Sequence, residues 1–327
     1  MNSSRIDWID YSKAFLIVLV VFAHCPLIPH VLDVLICGLH MPAFFIISGY
    51  LHKCQTNSSN CIRKNYKRLI IPAILFSCLC YVFWLLKYLV NNAYSVEECV
   101  LKPLLGLFIY DRTVATPVCG VIWFLVVLFL CFLLLDCTMH FIKRRGVVLL
   151  ALTFVLITIL FAVFGYKNFQ YGYYLQRTII SFPYVAFGFL CHEYNLLSKR
   201  KYSLVIACVF TIVYLFLALY NGHVGIHSCT FGKSVLVYWV ESIIGSLALF
   251  YWTGLMKKTP TWIVKISSGT IVILCLHRAL ISLLIYVWVN PYFITAVIIV
   301  LSYPLIRMFN DYLPWFVGRS YLNRDRK

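Results

Sequence analysis

The sequence predicts an all-α integral membrane protein with about ten transmembrane helices and both termini in the cytoplasm. Apolar residues (AVILMFWYC) make up 62% of the 327 residues, charged residues make up only 12%, and the mean hydropathy is +0.89. Soluble domains contain roughly 45–50% apolar and about 25% charged residues. A soluble fold of this length leaves about a quarter of its unfolded surface in water, so it cannot hide such an excess. A lipid bilayer can cover this excess, because its interior is hydrocarbon rather than water.

The apolar residues fall into segments of the length that a bilayer requires. A transmembrane helix needs about 20 apolar residues, and it satisfies its own backbone hydrogen bonds in lipid. Pro26 and Pro29 are predicted to close the first segment, and Pro42, Pro183 and Pro304 predict kinks in later ones. The loops are too short for a second domain, so residues 1–327 are expected to form a single transmembrane domain. The ten predicted spans are roughly 12–29, 33–51, 69–90, 119–137, 147–165, 177–194, 203–220, 233–254, 268–288 and 293–312.

The basic residues predict the orientation of these helices. If the N-terminus lies in the cytoplasm, 20 of the 28 Lys and Arg residues fall in cytoplasmic segments and 6 on the opposite side. Cytoplasmic loops of membrane proteins carry such an excess of Lys and Arg. Because the basic residues lie in short clusters between apolar segments, the net charge of +17 reflects topology, and we expect no nucleic-acid partner.

Ionisable residues within the predicted spans are candidate site residues, because burying them in a membrane is costly. His24 lies eleven residues after Lys13 in the first span. Eleven steps of 100° come within about 20° of three full turns, so both side chains share one face about 16.5 Å apart along the axis. This arrangement suits a long ligand with an anionic head at Lys13 and a reactive tail at His24. His24 can act as a general base near neutral pH, or it can simply join helices by hydrogen bonds.

Several motifs, in order along most of the chain, resemble those of the acyltransferase family 3 membrane proteins. In that family an Arg or Lys precedes a His by ten intervening residues, as Lys13 precedes His24 here. The opening Arg5-Ile-Asp-Trp-Ile-Asp10 is most similar to the fucose 4-O-acetylase-like branch. The other matching stretches are Asp10-Tyr-Ser-Lys13, His40-Met-Pro-Ala-Phe44-Phe45-Ile-Ile-Ser48-Gly49, Arg63-Lys64-Asn-Tyr-Lys67-Arg68-Leu-Ile-Ile-Pro72, Trp123-Phe-Leu125, Phe182-Pro-Tyr-Val-Ala-Phe-Gly188, and Ser268-Gly-Thr followed by His277.

The resemblance implies O-acylation, most often O-acetylation, of a cell-surface polysaccharide or its lipid-linked precursor. The acyl donor would be cytoplasmic acetyl-CoA, used as a substrate, with no permanently bound cofactor and no metal. The expected partners are the lipid bilayer, a carbohydrate acceptor and the acyl-CoA donor. The expected location is the plasma (inner) membrane of a bacterium. Many relatives carry a C-terminal esterase-like domain, and we expect this chain either to complete the transfer alone or to hand the acyl group to a separate protein.

The same resemblance assigns cations to the donor. CoA is polyanionic, and Lys13 with the basic run at 63–68 would hold its phosphates at the cytoplasmic mouth. The family motif has two Arg three residues apart, whereas here Lys64 and Lys67 have that spacing and Arg63 and Arg68 flank them. Lys lacks the planar fork of Arg, so the contact to any single residue is left open. His24 would deprotonate the acceptor hydroxyl or accept the acyl group itself.

Other polar residues within the spans have supporting or acceptor-side roles as hypotheses. Ser48 can stabilise the tetrahedral oxyanion, or it can serve helix packing. His40 can bind the acceptor or orient His24. Asp10 is expected to pair with Lys13 at a spacing of three residues.

Two further positions lie in the middle of late spans. Glu241 is expected to form a structural ion pair with Arg278, His277 or Arg177. His277 and Arg278 are also candidates for a direct role in the site. In a predicted outer loop, His223, His227 and Cys229 have ligand types that zinc accepts, although no carboxylate follows them, and we predict no metal site there.

Two other classes of function fit the same helices. A transporter or flippase for a polysaccharide or lipid-linked sugar would do no chemistry. It would have no need of a cytoplasmic site for CoA, so the Lys13–His24 pair and the basic run favour the enzyme. A non-catalytic subunit of a biosynthetic complex is the third possibility, and for it replacing His24 would matter only through stability.

Overall fold

The computed structural model describes residues 5–53, 58–90, 96–105, 120–164, 172–197 and 203–319. These ranges are almost entirely helical, as predicted. The helices are α1 Asp7–Ala23, α2 His30–Leu51, α3 Ser58–Asn65, α4 Ile71–Val90, α5 Lys102–Leu105, α6 Trp123–Phe141, α7 Lys143–Phe164, α8 Tyr173–Glu193, α9 Leu204–Asn221, α10 Val235–Gly254, α11 Thr261–Ser268, α12 Thr270–Leu284 and α13 Pro291–Asp311. Shorter elements are π turns at Tyr66–Ile70 and Glu97–Leu101, the hairpin strands β1 Val224–Gly225 and β2 Thr230–Phe231, and a 3-10 turn at Pro314–Val317.

Each of the ten predicted spans coincides with a helix, and seven helical stretches in the described ranges are long and apolar enough to cross a membrane. The pair α11 and α12, bent by 75°, makes an eighth candidate. The remaining two are α1, which has only 17 residues, and α8, which carries polar residues along its length. Most residues of both are buried against other helices, so they need less apolar surface than a helix that faces lipid. The number ten remains a prediction.

The first helix differs from its predicted limits. It begins at Asp7 and ends at Ala23, whereas the predicted span ran from 12 to 29. Pro26 has no backbone N–H and restricts the residue before it, so the helix ends ahead of both prolines. Pro42, Pro183 and Pro304 lie inside α2, α8 and α13, as predicted.

The centre of the bundle is a close contact between α2 and α8. A Cβ atom on Gly49 would lie 2.0 Å from the carbonyl oxygen of Val185. In the reciprocal position, a Cβ atom on Gly188 would lie 1.9 Å from the carbonyl oxygen of Ile46. The two backbones therefore touch, as they do where small residues pack transmembrane helices.

The outside of the bundle exposes the apolar surface that lipid would cover. On α7, Leu149, Leu152 and Val163 are more than half exposed, and on α9 Ile212 and Phe216 are exposed to a similar degree. Soluble proteins rarely expose large contiguous apolar patches. The surface therefore agrees with the composition, and the protein is a multi-pass membrane protein.

Contacts between helix ends define two ends of the bundle, which we name after residues of α1. At the Lys13 end, the hydroxyl of Thr259 donates to Asp7 over 2.7 Å, and Arg144 at the start of α7 pairs with Glu193 at the end of α8. Gly318 lies against the backbone of Arg68 at the same end.

At the His24 end, the loops between other helices meet. His223, after α9, contacts Asp33 near the start of α2 at 2.8 Å. The guanidinium of Arg177, near the start of α8, donates to the carbonyl of His227 over 3.1 Å. Segments that the charge distribution assigns to one side of the membrane therefore lie at one end of the bundle.

Candidate active site

Helix α1 carries both of the leading candidates. Lys13 lies within the helix, and His24 is its C-terminal capping residue. Since both belong to one helix, the rise of 1.5 Å per residue separates them by about 16.5 Å along the axis. Helix α1 thus carries a lysine toward one end of the bundle and a histidine toward the other.

The hydrogen bonds of the histidines determine which ring nitrogen carries the proton. Nδ1 of His24 lies 2.8 Å from the carbonyl oxygen of Val20, and Nδ1 of His40 lies 2.6 Å from that of Ile36. A carbonyl only accepts, so each Nδ1 is the donor and each neutral ring keeps its lone pair on Nε2. His24 therefore has its second nitrogen in the form that a general base requires.

His277 lies against His24. Their ring centroids are 4.9 Å apart with an interplanar angle of 70°. Nδ1 of His277 donates to the carbonyl of Leu274 over 2.8 Å, and its buried Nε2 has no hydrogen-bond partner within the described ranges. His40 lies within electrostatic range of His24, and Arg278 lies within range of both His24 and His277. Helices α1, α2 and α12 thus bring His24, His40 and His277 together, and we call these three the histidine group.

A second group surrounds Lys13. The charges of Arg5, Arg68 and Arg319 all act on the Lys13 ammonium. We call these four residues the cation group. Like charges repel over short distances, so four cations placed together favour an anionic ligand. The sequence predicted a contribution from Lys13 and Arg68 but missed those of Arg5 and Arg319.

The chain after α13 brings Arg319 to this group. The 3-10 turn at Pro314–Val317 ends at Gly318, which has a φ of +69°, a value that favours glycine. A Cβ atom on Gly318 would lie 2.7 Å from the Cα of Arg68, so the segment packs directly on the basic run. Burial lowers the pKa of the Arg319 guanidinium, and the positive charges of Arg5 and Arg68 lower it further.

Asp10 does not form the ion pair that the sequence predicted. Its carboxylate accepts from Nε of Arg5 over 3.0 Å and from the hydroxyl of Ser267 over 2.5 Å. The expected pair with Lys13 is therefore wrong, because Arg5 and α11 occupy the carboxylate. Asp10 still acts on Lys13 through its charge and holds Arg5 beside it.

The basic residues of the 63–68 run do not all act on Lys13. All four are exposed, Arg63 and Lys64 on α3 and Lys67 and Arg68 on the π turn. Of the four residues predicted to bind the donor, Arg68 is the one whose charge the structure places beside Lys13. The π turn shifts the helical phase here, which sequence spacing alone did not reveal.

Glu241 is not in an ion pair with any of the partners predicted for it. Within the described ranges its carboxylate contacts neither Arg177, His277 nor Arg278. Arg177 instead binds the carbonyl of His227 and lies over the ring of Tyr173 at 3.6 Å. The predicted ion pair is therefore wrong.

Ser48 lies away from the histidines. It is half-buried on α2, eight residues beyond His40, which corresponds to about 12 Å along the helix. Its hydroxyl thus lies at a depth between the cation group and the histidine group. Its predicted role at the oxyanion stays a prediction.

Two groups in the described ranges bring together side chains of metal-ligating type. One joins Asp33, Cys37 and His223 in the outer part of α2 and the loop after α9, and the other joins His52, Cys61 and Asp136. In the second, Nε2 of His52 lies 2.7 Å from Asp136, and the thiol of Cys61 donates to the same carboxylate over 3.1 Å. These hydrogen bonds explain why His52, Cys61 and Asp136 lie together: they connect the end of α2 with α3 and α6. The sequence missed both groups, because their members are far apart along the chain.

A membrane helix bundle with a cationic site and a histidine site on one helix fits a membrane transferase. The chain matches the family model Acyl_transf_3, an acyltransferase domain, over residues 6–309. It therefore belongs to acyltransferase family 3, and it is a membrane acyltransferase. No curated protein and no solved structure matches the chain.

Proposed function

We propose that this protein transfers an acetyl group from cytoplasmic acetyl-CoA to a hydroxyl of a cell-surface polysaccharide or its lipid-linked precursor. The observation that carries the proposal is that α1 holds both Lys13 of the cation group and His24 of the histidine group. The helical rise separates these two residues by about 16.5 Å along the axis. Acetyl-CoA has its phosphates and its thioester at opposite ends of a long flexible arm. The phosphates therefore match the cation group, and the thioester matches the histidine group at the other end of α1. The location proposed is the plasma membrane of a bacterium, and the fucose 4-O-acetylase-like branch remains part of the proposal.

The cation group would bind the phosphates. Lys13, Arg68 and Arg319 offer charge-assisted hydrogen bonds, and the two arginines can each contact a phosphate with two parallel N–H groups. Asp10 keeps Arg5 in place without neutralising the group, because one carboxylate faces four cations. The thioester arm would then run along α1, past the depth of Ser48, toward His24.

The transfer step follows from the protonation of His24. The acceptor hydroxyl attacks the thioester carbonyl carbon while Nε2 of His24 takes its proton, so a C–O bond forms and the carbonyl becomes an oxyanion. The oxyanion collapses, the C–S bond breaks, and the CoA thiolate leaves with the proton from the imidazolium. His277 lies beside His24 and would keep it oriented. In the alternative route Nε2 first accepts the acetyl group and then passes it to the hydroxyl. We favour the base route because a hydroxyl is a weak nucleophile at neutral pH.

The test replaces His24 with alanine in the producing cell. We expect the acetyl content of the surface glycan, measured by NMR, to vanish while export of the glycan continues. General-base catalysis contributes roughly 10²–10⁴-fold, so little transfer should remain. His140→Ala, which removes an exposed histidine at the end of α6, is the matched control and should keep full acetylation.

The same experiment separates the enzyme from a transporter. If His24→Ala at equal membrane levels removes the glycan itself from the cell surface, a transport function replaces the proposal. If acetylation is unchanged, His24 is not the catalytic residue.

A further inference from the structure

A buried carboxyl group between α10 and α2 has no cationic partner in the described ranges. Glu241 on α10 is 0% exposed, the side chain of Asn221 acts on it, and neither of its carboxylate oxygens makes a hydrogen bond of good geometry with a described residue. Oε1 faces α2, where a Cβ atom on Gly38 would lie 3.3 Å from it. A carboxylate buried without a cation to balance its charge is unfavourable, so such a residue calls for an explanation.

Three buried hydroxyl groups near this carboxyl also lack a well-formed hydrogen bond. Tyr184 on α8 and Tyr238 and Ser242 on α10 are each 0% exposed, and their oxygens lack a hydrogen bond of good geometry in the part of the chain described. Yet these groups are neighbours, because Tyr184 interacts with Ser242, Tyr238 and Glu241. The ring of Tyr184 is held by stacking on Trp239 at 4.6 Å. These polar groups therefore lie in one buried place where none of them makes a hydrogen bond of good geometry, so a small cation there could take their oxygens as ligands.

We propose that Glu241, Tyr184, Tyr238 and Ser242 bind a monovalent cation of the sodium type. The charges balance, since one carboxylate with neutral hydroxyls matches a single positive charge. Calcium takes six to eight oxygen ligands, often from several carboxylates, and transition metals prefer imidazole or thiolate, so neither suits this set. The described neighbours of Glu241 include no Lys or Arg that would supply the charge instead.

The site would stabilise the helix that carries His40. Glu241 lies against Gly38 of α2, and Tyr214 beside it donates to the carbonyl of Leu35 on the same helix. A bound cation would therefore hold α2, α8 and α10 together at the level of the histidine group. This inference goes beyond the acyltransferase function and does not depend on it.

The test measures thermal unfolding of the purified protein in lipid nanodiscs. Sodium chloride is compared with choline chloride at equal concentration, so that ionic strength is constant. A ligand that binds only the folded state raises the unfolding midpoint, and we expect a rise of about 2 °C or more in sodium. Glu241→Gln should lose this response.

Two serines on α10 provide a matched pair if Glu241→Gln fails to fold. Ser242→Ala removes one proposed ligand and should raise the half-maximal sodium concentration about tenfold. Ser246→Ala should leave the response unchanged, because the Ser246 hydroxyl already donates to the carbonyl of Ser242 over 2.7 Å. An unfolding midpoint that is the same in sodium and in choline would overturn the proposal. So would a sodium response that survives in both Glu241→Gln and Ser242→Ala, and either result would leave the acyltransferase function untouched.

Discussion

At the scale of single residues, the site depends on how each histidine is fixed. His24, His40 and His277 all donate through Nδ1 to a carbonyl one helical turn earlier. The helix itself therefore selects the tautomer and leaves Nε2 for chemistry. This feature follows from the backbone and needs no partner from elsewhere in the sequence.

His277 is predicted to act through His24. Replacing His277 with phenylalanine keeps a ring beside His24 but removes the second imidazole. We expect kcat to fall by about tenfold or more, with little change in KM for the donor, because the cation group is unaffected. Steady-state assays with labelled acetyl-CoA in membrane vesicles would measure both constants. An increase in donor KM with an unchanged kcat would assign His277 to donor binding instead.

Arg68 and Arg319 are predicted to hold the phosphates of the donor. Arg68→Gln and Arg319→Gln should each raise KM for the donor about tenfold or more, since a hydrogen bond to a charged group contributes roughly 1.5–3 kcal/mol. Lys64→Gln is the control, because the charge of Lys64 is not among those that act on Lys13. Equal effects of all three variants would mean that the basic run acts only as a diffuse positive surface.

The relation between Lys13 and His24 could be predicted from the sequence, whereas the positions of Arg5 and Arg319 beside Lys13 could not. The spacing of Lys13 and His24 is local, since both lie on one helix and its geometry fixes their relation. Arg319 and Arg5 reach Lys13 only because the segments that carry them meet in the fold. No periodicity within a segment can show such a contact.

At the scale of helices, the contact between α2 and α8 fixes the position of the helix that carries His40. Helix α2 carries His40 and Gly49, and α8 carries Gly188 opposite Ile46. The sequence showed the glycines within matching motifs. It did not show that each lies against a backbone carbonyl of the other helix, because that depends on the crossing point of the two helices.

Replacing Gly188 with leucine is predicted to separate α2 from α8. Even a Cβ atom would lie 1.9 Å from the carbonyl oxygen of Ile46, so the helices must move apart. Overpacking costs about 1–3 kcal/mol or more, and here the obstacle is a backbone carbonyl, which cannot rotate aside as a side chain can. We expect a lower unfolding midpoint and less folded protein in the membrane. Leu152→Ala on the exposed surface of α7 should change neither, and a normal midpoint for Gly188→Leu would disprove the close contact.

At the scale of the whole molecule, the contacts at the two ends of the bundle constrain the topology. Arg319 near the end of the described chain lies with Arg5 near its start, so the helices between them cross the bundle an even number of times. The hairpin after α9 lies at the other end, where His223 contacts Asp33. These contacts agree with ten crossings, including α1 and α8, whose polar residues are accommodated because they face protein rather than lipid.

The orientation of the bundle in the membrane is predicted from charge. A reporter fused after Lys327 should read as cytoplasmic, because the Lys13 end holds the cation group and most Lys and Arg residues lie in segments predicted on that side. A reporter inserted near Asn221, at the end of α9, should read as external. Paired alkaline phosphatase and fluorescent protein fusions would measure both positions, since each is active on one side only. The fold predicts an odd number of crossings between these two positions. If both report the same side, the number of crossings is even and the predicted topology is wrong. If the two signals are exchanged, the cation group faces away from cytoplasmic CoA, and the donor proposed for this enzyme is wrong.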